Sequence, residues 1–432
     1  MNISIVGTGY VGLITGATFA KLGNRVILVD VIKEKVDMVN RGQSPIYEKG
    51  LDTLLKELVE RGELRATTDM RKAVLSSAVT FVAVGTPSRE DGSIELSYIR
   101  SAIEAVSAAI KEKEEWHLIV IKSTVIPGTT EGLIPLIEQH SGKKEGSGFG
   151  VAMNPEFLRE GVALEDSMKP DRIVIGVRDA RGEEVLRALY SPIDAPVLAA
   201  SPTTAEMIKY TANAFLATKI SFSNEIANIC DRFGVDVDEV MRGIGMDHRI
   251  SPYFLNAGAG FGGSCFPKDV KALISASLEK GYRPHLLEGV IELNDRQPLR
   301  MIELAEERIG SLNGKRVAVL GLSFKPDTDD IRESRAIPLV KELLSRGAAV
   351  IAYDPQATEN FREIFPEVSY AGSAGEALAG ADICMIQADW KEFKEIDYDR
   401  YGLELIVDGR NTLKGRVQTP YLGIGRHNSK KR

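Results

Sequence analysis

The chain has 432 residues, of which 44% are hydrophobic and 27% charged, a composition that is ordinary for a globular protein of two or three domains. The formal net charge of −7 argues against general nucleic-acid binding, and the sequence contains no apolar run long enough to span a bilayer. The three cysteines, Cys230, Cys265 and Cys384, are odd in number and widely spaced, which excludes a disulfide framework and a zinc cluster. We therefore expect no metal, no membrane or nucleic-acid partner, and a reducing, cytoplasmic compartment.

The first thirty residues predict a strand, a glycine turn, a helix and a second strand. Residues 2–6 (NISIV) are apolar, Gly7, Gly9 and Gly12 follow in the spacing G-x-G-x-x-G, and the second strand ends in Asp30. In this context the glycines allow a tight turn, approach of a pyrophosphate and close packing of the helix, whose amino end attracts phosphates. Because Asp30 accepts hydrogen bonds from a ribose diol and repels a 2′-phosphate, the pattern favours NAD over NADP.

Four more strand-like segments follow, separated by helical stretches, as in a doubly wound parallel sheet. They cover residues 78–87, 117–125, 149–157 and 171–177. Ligands in such sheets gather at the carboxyl ends of the strands, which is where Thr86, Thr124 and Glu156 are expected. For each of them ordinary turn chemistry remains an alternative, and Glu156 and Glu160 share a face only if their segment is helical.

Residues 201–234 predict one long helix, since no Pro or Gly interrupts the pattern between Pro202 and Gly234. At about 1.5 Å per residue it is roughly 45 Å long, so it should bridge two lobes or form a dimer seam. Lys209 and Asn213 are four residues apart and share one face. A solvated surface pair is the alternative for these two donors.

The segment GAGFGGSCFPKD (258–269) places Cys265 in a loop of bare backbone. A thiolate is a strong nucleophile where cations or helix-end N–H groups lower its pKa, and Lys268 together with a helix that has Pro267 at its first position would provide that field. The residues alone leave open whether Cys265 is catalytic. Cys230 and Cys384 lie in apolar patterns and are interpreted as packing residues.

The last third repeats the strand–helix alternation, with strand-like segments at 315–324, 348–355, 381–389 and 403–411. Its first turn lacks the G-x-G-x-x-G spacing, so it predicts a nucleotide-type fold without a dinucleotide site. Lys325, Arg332 and Arg335 fall in this turn and suit an anionic ligand. The basic end of the chain, 425–432, is expected to be disordered.

Seven segments, in this order along the chain, resemble the UDP-glucose 6-dehydrogenase family of nucleotide-sugar dehydrogenases: GTGYVG, VGTP, STVIPGT, NPEFLREG, IKYTANAFLATKISFSNE, GFGGSCFPKD and FKPDTDDIRES. The resemblance implies an α/β protein with two Rossmann-like doubly wound domains joined by a long central helix. It implies an NAD-binding domain over 1–200, a helical dimerisation region over 201–300 and a UDP-sugar-binding domain over 301–432. The implied reaction oxidises the C6 alcohol of UDP-glucose to UDP-glucuronate with two NAD, in a homodimer.

The same resemblance assigns residues by position. The implied catalytic residues are Cys265 as nucleophile, with Lys209, Asn213, Asp269, Glu156, Glu160 and Thr124. The implied NAD contacts are Gly7, Gly9, Tyr10, Val11, Gly12, Asp30, Lys35, Thr86, Thr124, Glu156, Lys268 and Arg332. The implied substrate contacts are Glu156, Phe157, Leu158, Arg159, Glu160, Lys209, Asn213, Phe254, Leu255, Asn256, Ala257, Gly258, Gly262 and Lys325, with Arg249 reaching the substrate across the dimer.

The chemistry of a lone thiol fits this scheme, because a thiolate traps an aldehyde as a thiohemiacetal that still carries a transferable hydrogen. A bare loop would let both the sugar and the cofactor approach the sulfur. Two alternatives remain: a GDP-mannose or other nucleotide-sugar 6-dehydrogenase with the same mechanism, and a catalytically silent nucleotide-sugar sensor.

Overall fold

The computed structural model describes residues 1–414 and 416–426. The chain forms two compact units, Met1–Ala212 and Asn213–Arg432, each built around its own largely parallel sheet. The α/β class and the long central helix expected from the sequence are confirmed. Disorder was expected for residues 425–432, and this is wrong for Gly425 and Arg426, since Arg426 pairs with Asp238 at 2.6 Å. Residues 427–432 lie outside the described residues.

The first unit has an eight-stranded sheet in the order β3-β2-β1-β4-β5-β6-β7-β8. All neighbours are parallel except β6 and β7. The strands are β1 (Asn2–Val6), β2 (Arg25–Val29), β3 (Leu64–Thr67), β4 (Val79–Val82), β5 (His117–Ile121), β6 (Phe149–Met153), β7 (Ile173–Val177) and β8 (Val197–Ala200).

The second unit has a six-stranded parallel sheet in the order β11-β10-β9-β12-β13-β14. Its strands are β9 (Arg316–Leu320), β10 (Ala349–Tyr353), β11 (Ser369–Tyr370), β12 (Ile383–Ile386), β13 (Leu405–Asp408) and β14 (Tyr421–Gly423).

Seventeen α-helices connect and cover these strands in the described residues. Those up to residue 190 are α1 (Tyr10–Lys21), α2 (Lys33–Asn40), α3 (Leu51–Glu60), α4 (Met70–Leu75), α5 (Ser97–Ile110), α6 (Thr129–Gly132), α7 (Ile134–Ser141), α8 (Ala163–Met168) and α9 (Ala180–Tyr190). The remainder are α10 (Pro202–Phe233), α11 (Val237–Gly245), α12 (Phe266–Glu279), α13 (His285–Arg296), α14 (Leu299–Ile309), α15 (Ala336–Ser345), α16 (Thr358–Ile364) and α17 (Ala374–Leu378).

The inner strands are buried on both faces, which explains why they read as continuous apolar runs rather than as alternating patterns. Three strands of the first sheet are shorter than the apolar segments predicted, since β4, β5 and β6 end at Val82, Ile121 and Met153. The polar segments that follow are loops at the carboxyl edge of the sheet. β1 and β4 are direct neighbours, so this edge contains the point at which the strand order reverses.

In the second unit Asp354 occupies the position after β10 that Asp30 occupies after β2. One of its carboxylate oxygens accepts from the backbone N–H groups of Leu322 and Ser323, from the Ser323 hydroxyl and from Trp390 Nε1, all within 3.1 Å. The other accepts from the N–H groups of residues 356 and 357 at 2.9 Å. Asp354 is thus saturated by its own chain, which agrees with a turn that carries no dinucleotide fingerprint.

Among the described residues, no helix combines the length and the apolar character that crossing a bilayer requires. Within the same ranges, no group of three or more His, Cys, Asp or Glu side chains is arranged to hold a metal ion.

Replacing Asp354 with Ala should destabilise the second unit by about 2–4 kcal/mol, because buried backbone N–H groups and an indole N–H lose their acceptor. Urea unfolding would measure the change in the free energy of unfolding. Glu359→Ala, at a side chain that is 80% exposed, is the control and should stay within about 0.5 kcal/mol of the wild type. Equal effects of the two substitutions would contradict the assigned role of Asp354.

Candidate active site

Each of the three glycines in the turn after β1 is required for a different steric reason. Gly7 has φ of +102°, a left-handed conformation that a side chain disfavours. A Cβ on Gly12 would lie 1.9 Å from the Gly7 carbonyl oxygen, so the helix packs here against the turn itself. A Cβ on Gly9 would meet nothing within 4 Å. The space above Gly9 is therefore open at the amino end of α1, as a bound pyrophosphate requires.

Asp30 lies beside this turn and remains ionised. Its carboxylate accepts from the backbone N–H of Thr8 at 2.8 Å and from that of Ile32 at 3.0 Å. Burial alone would raise the pKa of Asp30, but these hydrogen bonds, the Thr8 hydroxyl and the charge of Lys35 lower it below its ordinary value. The open turn and the ionised acid together fit a dinucleotide with a free ribose diol, and they bring together the predicted residues Asp30 and Lys35.

Glu156 is buried in the loop that follows β6. Residues 154–160 form no helix, so the condition under which Glu156 and Glu160 would share a helical face is not met. The Glu156 carboxylate pairs instead with Lys209 of α10 at 2.9 Å, and both side chains are less than 10% exposed. It also accepts from the Leu158 backbone N–H at 2.6 Å.

Burial alone would raise the pKa of Glu156, but the charge and hydrogen bond of Lys209 hold it below its ordinary range. The solvated-surface alternative for Lys209 is wrong, since this ammonium is buried against a carboxylate. The arrangement holds a positive and a negative charge side by side, both buried, in the first unit.

The other predicted residues around this loop differ in their surroundings. Thr124 follows β5 and is partly buried, as is Thr86 after β4. Phe157 lies under the guanidinium of Arg172, 3.6 Å from the ring centroid, whereas Arg159 is an exposed residue paired with Asp166 at 2.6 Å.

Glu48 is a buried acid for which the sequence pattern contains no signal. It accepts from the Tyr10 hydroxyl, from the Gly161 N–H at 2.8 Å and from the Ala163 N–H at 2.7 Å. Burial and the hydrogen bond to Glu48 raise the pKa of Tyr10, so the phenol stays neutral. Glu48 therefore ties the first residue of α1 to the end of the loop that carries Glu156.

In the second unit Cys265 is the residue directly before α12, and Pro267 lies in the first turn of that helix. The thiol is partly exposed, whereas Cys230 and Cys384 are buried. The dipole of a 14-residue helix favours negative charge at this position.

The glycines of this loop are required by packing within the second unit. A Cβ on Gly262 would lie 2.3 Å from the Glu333 carbonyl oxygen, and one on Gly258 would lie 2.6 Å from the Gly409 carbonyl oxygen. Gly263 has φ of +84°, and a Cβ there would meet the Phe324 ring at 2.7 Å. The bare backbone thus has a structural cause in addition to the access to sulfur that the sequence suggested.

Asp269, in the first turn of α12, is 1% exposed and joins two other predicted residues. It accepts from Asn213 Nδ2 and from Lys268 Nζ, both at 2.6 Å. The Lys268 charge is therefore balanced by Asp269. Asn213 comes one helical turn after Lys209, so α10 contributes a buried polar side chain to each of the two clusters.

The second unit contains a pocket of about 390 Å³ beside the cysteine loop. Its lining residues are Ile220, Tyr253, Phe254, Asn256, Gly260, Phe261, Gly262, Phe266, Phe324, Lys325 and Arg410. Aromatic walls with two cations suit a flat heterocycle joined to phosphates. Four of the predicted substrate residues line it, namely Phe254, Asn256, Gly262 and Lys325.

Arg410 is a pocket residue that the sequence interpretation missed. Its guanidinium donates to the Gly260 carbonyl at 2.7 Å and to the Gln387 carbonyl at 2.8 Å. The one feature of the sequence that could have predicted this residue is its position two residues after the end of β13. The motif DGRN by itself does not indicate a binding residue.

Lys325, Arg332 and Arg335, the three cations predicted after β9, have different partners in the structure. Arg332 pairs with Asp330 at 2.7 Å, and Arg335 pairs with Asp295 and Glu333 at 3.1 and 2.8 Å. Only Lys325 lines the pocket. Arg249 is exposed and pairs with Asp247 at 2.5 Å.

Three family models match consecutive parts of the chain. They describe the NAD binding domain, the central domain and the UDP binding domain of the UDP-glucose/GDP-mannose dehydrogenase family, and they match residues 1–194, 203–296 and 318–415.

Relatives match over almost the whole length. A UDP-glucose 6-dehydrogenase of Haloferax volcanii is 49% identical over 98% of this chain and 99% of its own, and one of Bacillus subtilis is 41% identical over 95% and 93%. A UDP-glucose dehydrogenase structure from Pyrobaculum islandicum has a TM-score of 0.94 at 42% identity and covers 98% of this chain and 97% of its own. A UDP-D-ManNAc dehydrogenase structure from Pyrococcus horikoshii has a TM-score of 0.89 at 30% identity, covering 99% and 100%.

The two neighbouring glycines of the first turn allow a matched test. Gly9→Ala should leave the free energy of unfolding within about 0.5 kcal/mol but weaken NAD binding at least roughly tenfold, because the methyl group fills the space above the helix end. Gly12→Ala should lower the stability by about 3 kcal/mol, since its Cβ overlaps the Gly7 carbonyl. Thermal unfolding and calorimetric NAD titration would measure both effects; unchanged NAD affinity in Gly9→Ala would contradict the placement of the phosphates.

Proposed function

Because the chain belongs to the UDP-glucose/GDP-mannose dehydrogenase family, we propose that it oxidises the C6 alcohol of UDP-glucose to the carboxylate of UDP-glucuronate. NAD, when bound, supplies the acceptor for the two hydrides that this four-electron oxidation releases. The observation that carries the proposal is a thiol at a helix amino end in a chain whose relatives, named UDP-glucose 6-dehydrogenases, match it from end to end.

We propose that Gly9, Asp30 and Lys35 hold the dinucleotide. The open space above Gly9 accepts the pyrophosphate, and the ionised Asp30 accepts hydrogen bonds from the ribose hydroxyls. Tyr10, Val11, Thr86, Thr124 and Arg332 complete the proposed cofactor contacts.

The nucleotide end of the substrate is assigned to the pocket of the second unit. Its aromatic walls stack on the base, and Lys325 and Arg410 neutralise the diphosphate. Burial lowers the pKa of Arg410. Because the ordinary pKa of an arginine is far above neutral, this guanidinium stays charged at neutral pH.

In the first oxidation the C6 hydroxyl loses a proton and a hydride and becomes an aldehyde. The ionised Glu156, directly or through a water held by Thr124, accepts the proton, while Lys209 stabilises the negative charge that develops on oxygen. Glu156 has this capacity only while it is ionised.

In the second oxidation the Cys265 thiolate adds to the aldehyde carbon, a C–S bond forms and the oxygen takes up a proton, giving a thiohemiacetal. Loss of that proton and a second hydride converts it into a thioester. Water then attacks the carbonyl and gives up both of its protons, the C–S bond breaks, and the products are the carboxylate and the free thiolate. Asn213 of α10 donates to Asp269 in the first turn of α12, four residues after Cys265, and these two side chains are proposed to bind the water and the oxyanion.

We also propose a homodimer formed through α10. Phe215, Phe222 and Ile229 are exposed and lie seven residues apart, which puts them on one face of the helix, and Phe233 extends the exposed apolar surface. Arg249, exposed at the end of the same region, is proposed to reach the substrate of the partner. None of the three cysteines forms a disulfide in the part of the chain that the structure describes, which favours a cytoplasmic location.

Complete turnover should release two NADH for each UDP-glucose, and acid-quenched enzyme should carry the substrate mass on the peptide that contains Cys265. Cys265→Ser should bind UDP-glucose but lose turnover by at least roughly a hundredfold, because its hydroxyl does not ionise as a thiol does. Cys230→Ser, at a buried cysteine of α10, should retain the two-NADH stoichiometry.

One NADH per sugar with free aldehyde as product would contradict the double oxidation. The same assay with GDP-mannose, UDP-galactose and UDP-GlcNAc tests the substrate, since a faster reaction with any of them would replace UDP-glucose in the proposal.

Phe222→Glu should convert the dimer into a monomer, since it places a charge in the middle of the apolar stripe. Leu286→Glu is the matched control because Leu286 is also exposed, at 69%, but lies on α13 outside the stripe. Sedimentation velocity would give the two masses. A dimeric Phe222→Glu protein would reject this seam, and a fully active monomer would reject the role of Arg249.

A further inference from the structure

Lys122 is a buried cation that the reaction proposed above does not use. It follows the last residue of β5 and is 7% exposed. Its ammonium donates to Asn154 Oδ1 at 2.9 Å and lies 3.4 Å from the Pro155 carbonyl oxygen and 3.5 Å from the Tyr190 hydroxyl. These contacts place it against the backbone directly before Glu156.

With Lys122, the buried cluster of Lys122, Glu156 and Lys209 contains two positive charges and one negative charge. Glu156 forms its ion pair with Lys209, and Lys122 adds a second positive charge at a site where an isolated ion is costly. A neutral side chain of similar size would fill the same volume without the unfavourable burial of a charge, so packing alone does not explain a lysine here. The position of the ammonium beside the 154–156 backbone therefore indicates an electrostatic role.

The groups that act on Lys122 are few and identifiable. Burial lowers its pKa to about 8, while the negative charge of Glu156 opposes this effect and the positive charge of Lys209 adds to it. Tyr190 is neutral, since burial raises its pKa, and Asn154 does not titrate. The charge of Lys122 is also among the causes that keep the Glu156 pKa low.

We propose that Lys122 is a positioning residue that keeps the Glu156 carboxylate ionised beside Lys209 and thereby sets the pH below which catalysis is lost. The inference rests on the proposed function, in which ionised Glu156 accepts the proton of the C6 hydroxyl. Lys122 itself touches neither the substrate nor the reacting atoms in this scheme. It acts through the field at Glu156.

The sign of the effect follows from the charges. A nearby positive charge favours the ionised form of a carboxylate, so removing it raises the pKa of Glu156. Lys122→Met should therefore move the acid limb of the kcat/KM profile for UDP-glucose to higher pH by at least roughly one unit, since in an effective dielectric of about 20 one charge shifts a pKa by about one unit even at about 12 Å. Lys122→Arg retains the charge, so its acid limb should stay at the wild-type position even if its kcat falls.

Lys113→Met is the matched control. Lys113 precedes β5, whereas Lys122 follows that strand, and its partly buried ammonium also donates to backbone carbonyl oxygens, those of Ser77 and Val74. Burial lowers its pKa as well. This variant removes a comparable lysine from the amino end of the same strand and should leave the acid limb unchanged.

Lys122→Met should fold, because Asn154 Oδ1 still accepts from the Tyr190 hydroxyl at 2.5 Å, and circular dichroism with thermal unfolding would verify this. An infrared titration of the Glu156 carboxyl band, assigned with Glu156→Gln, measures the same pKa without turnover and should show the same upward shift. If the wild type does not oxidise UDP-glucose, the proposed function fails, and the infrared titration still decides the role of Lys122. An acid limb and a carboxyl band in Lys122→Met that coincide with those of the wild type would overturn the inference.

Discussion

The buried ion pair between Lys209 and Glu156 is the interaction on which the proposed chemistry of the first unit depends. A carboxylate and an ammonium this far from water persist only when each compensates the other, and their 2.9 Å contact provides that compensation. The pair joins a helix, α10, to a loop at the carboxyl edge of the first sheet. A segment without regular secondary structure is thereby fixed to α10 through a buried carboxylate.

Two further acids hold the surroundings of this pair by the same physical means, the satisfaction of buried donors. Glu48 accepts from Tyr10 and from the N–H groups of Gly161 and Ala163, which ties the start of the cofactor helix to the end of the Glu156 loop. Glu206 of α10 accepts from the N–H groups of Gly128 and Thr130, both at or below 2.8 Å, and so holds the segment that follows Thr124. Two loops of this NAD-dependent dehydrogenase, the one before α8 and the one after β5, are thus held by buried carboxylates.

The second unit uses a related sheet for a different purpose. In the first unit Asp30, which follows β2, lies beside an open turn. In the second unit the Asp354 carboxylate accepts hydrogen bonds from the N–H groups of its own turn and from Trp390. Beside the cysteine loop, Lys325 and Arg410 line an aromatic pocket, which is the proposed nucleotide site of this unit. A shared architecture therefore does not imply a shared ligand.

The sequence by itself determined the features that depend on local spacing: the glycine turn with Asp30, the long helix, and Cys265 at the start of α12, because backbone conformation and helix ends are dictated by neighbouring residues. Whether Lys209 is solvated or buried, and which of Lys325, Arg332 and Arg335 faces a ligand, was decided only by the tertiary structure. Their partners, Glu156 for Lys209, and Asp330 and Asp295 for the two arginines, are specified by packing. Glu48, Lys122 and Arg410 left no signal in the sequence, because the environment of a buried charge comes from side chains that are distant along the chain and meet only once the sheet has formed.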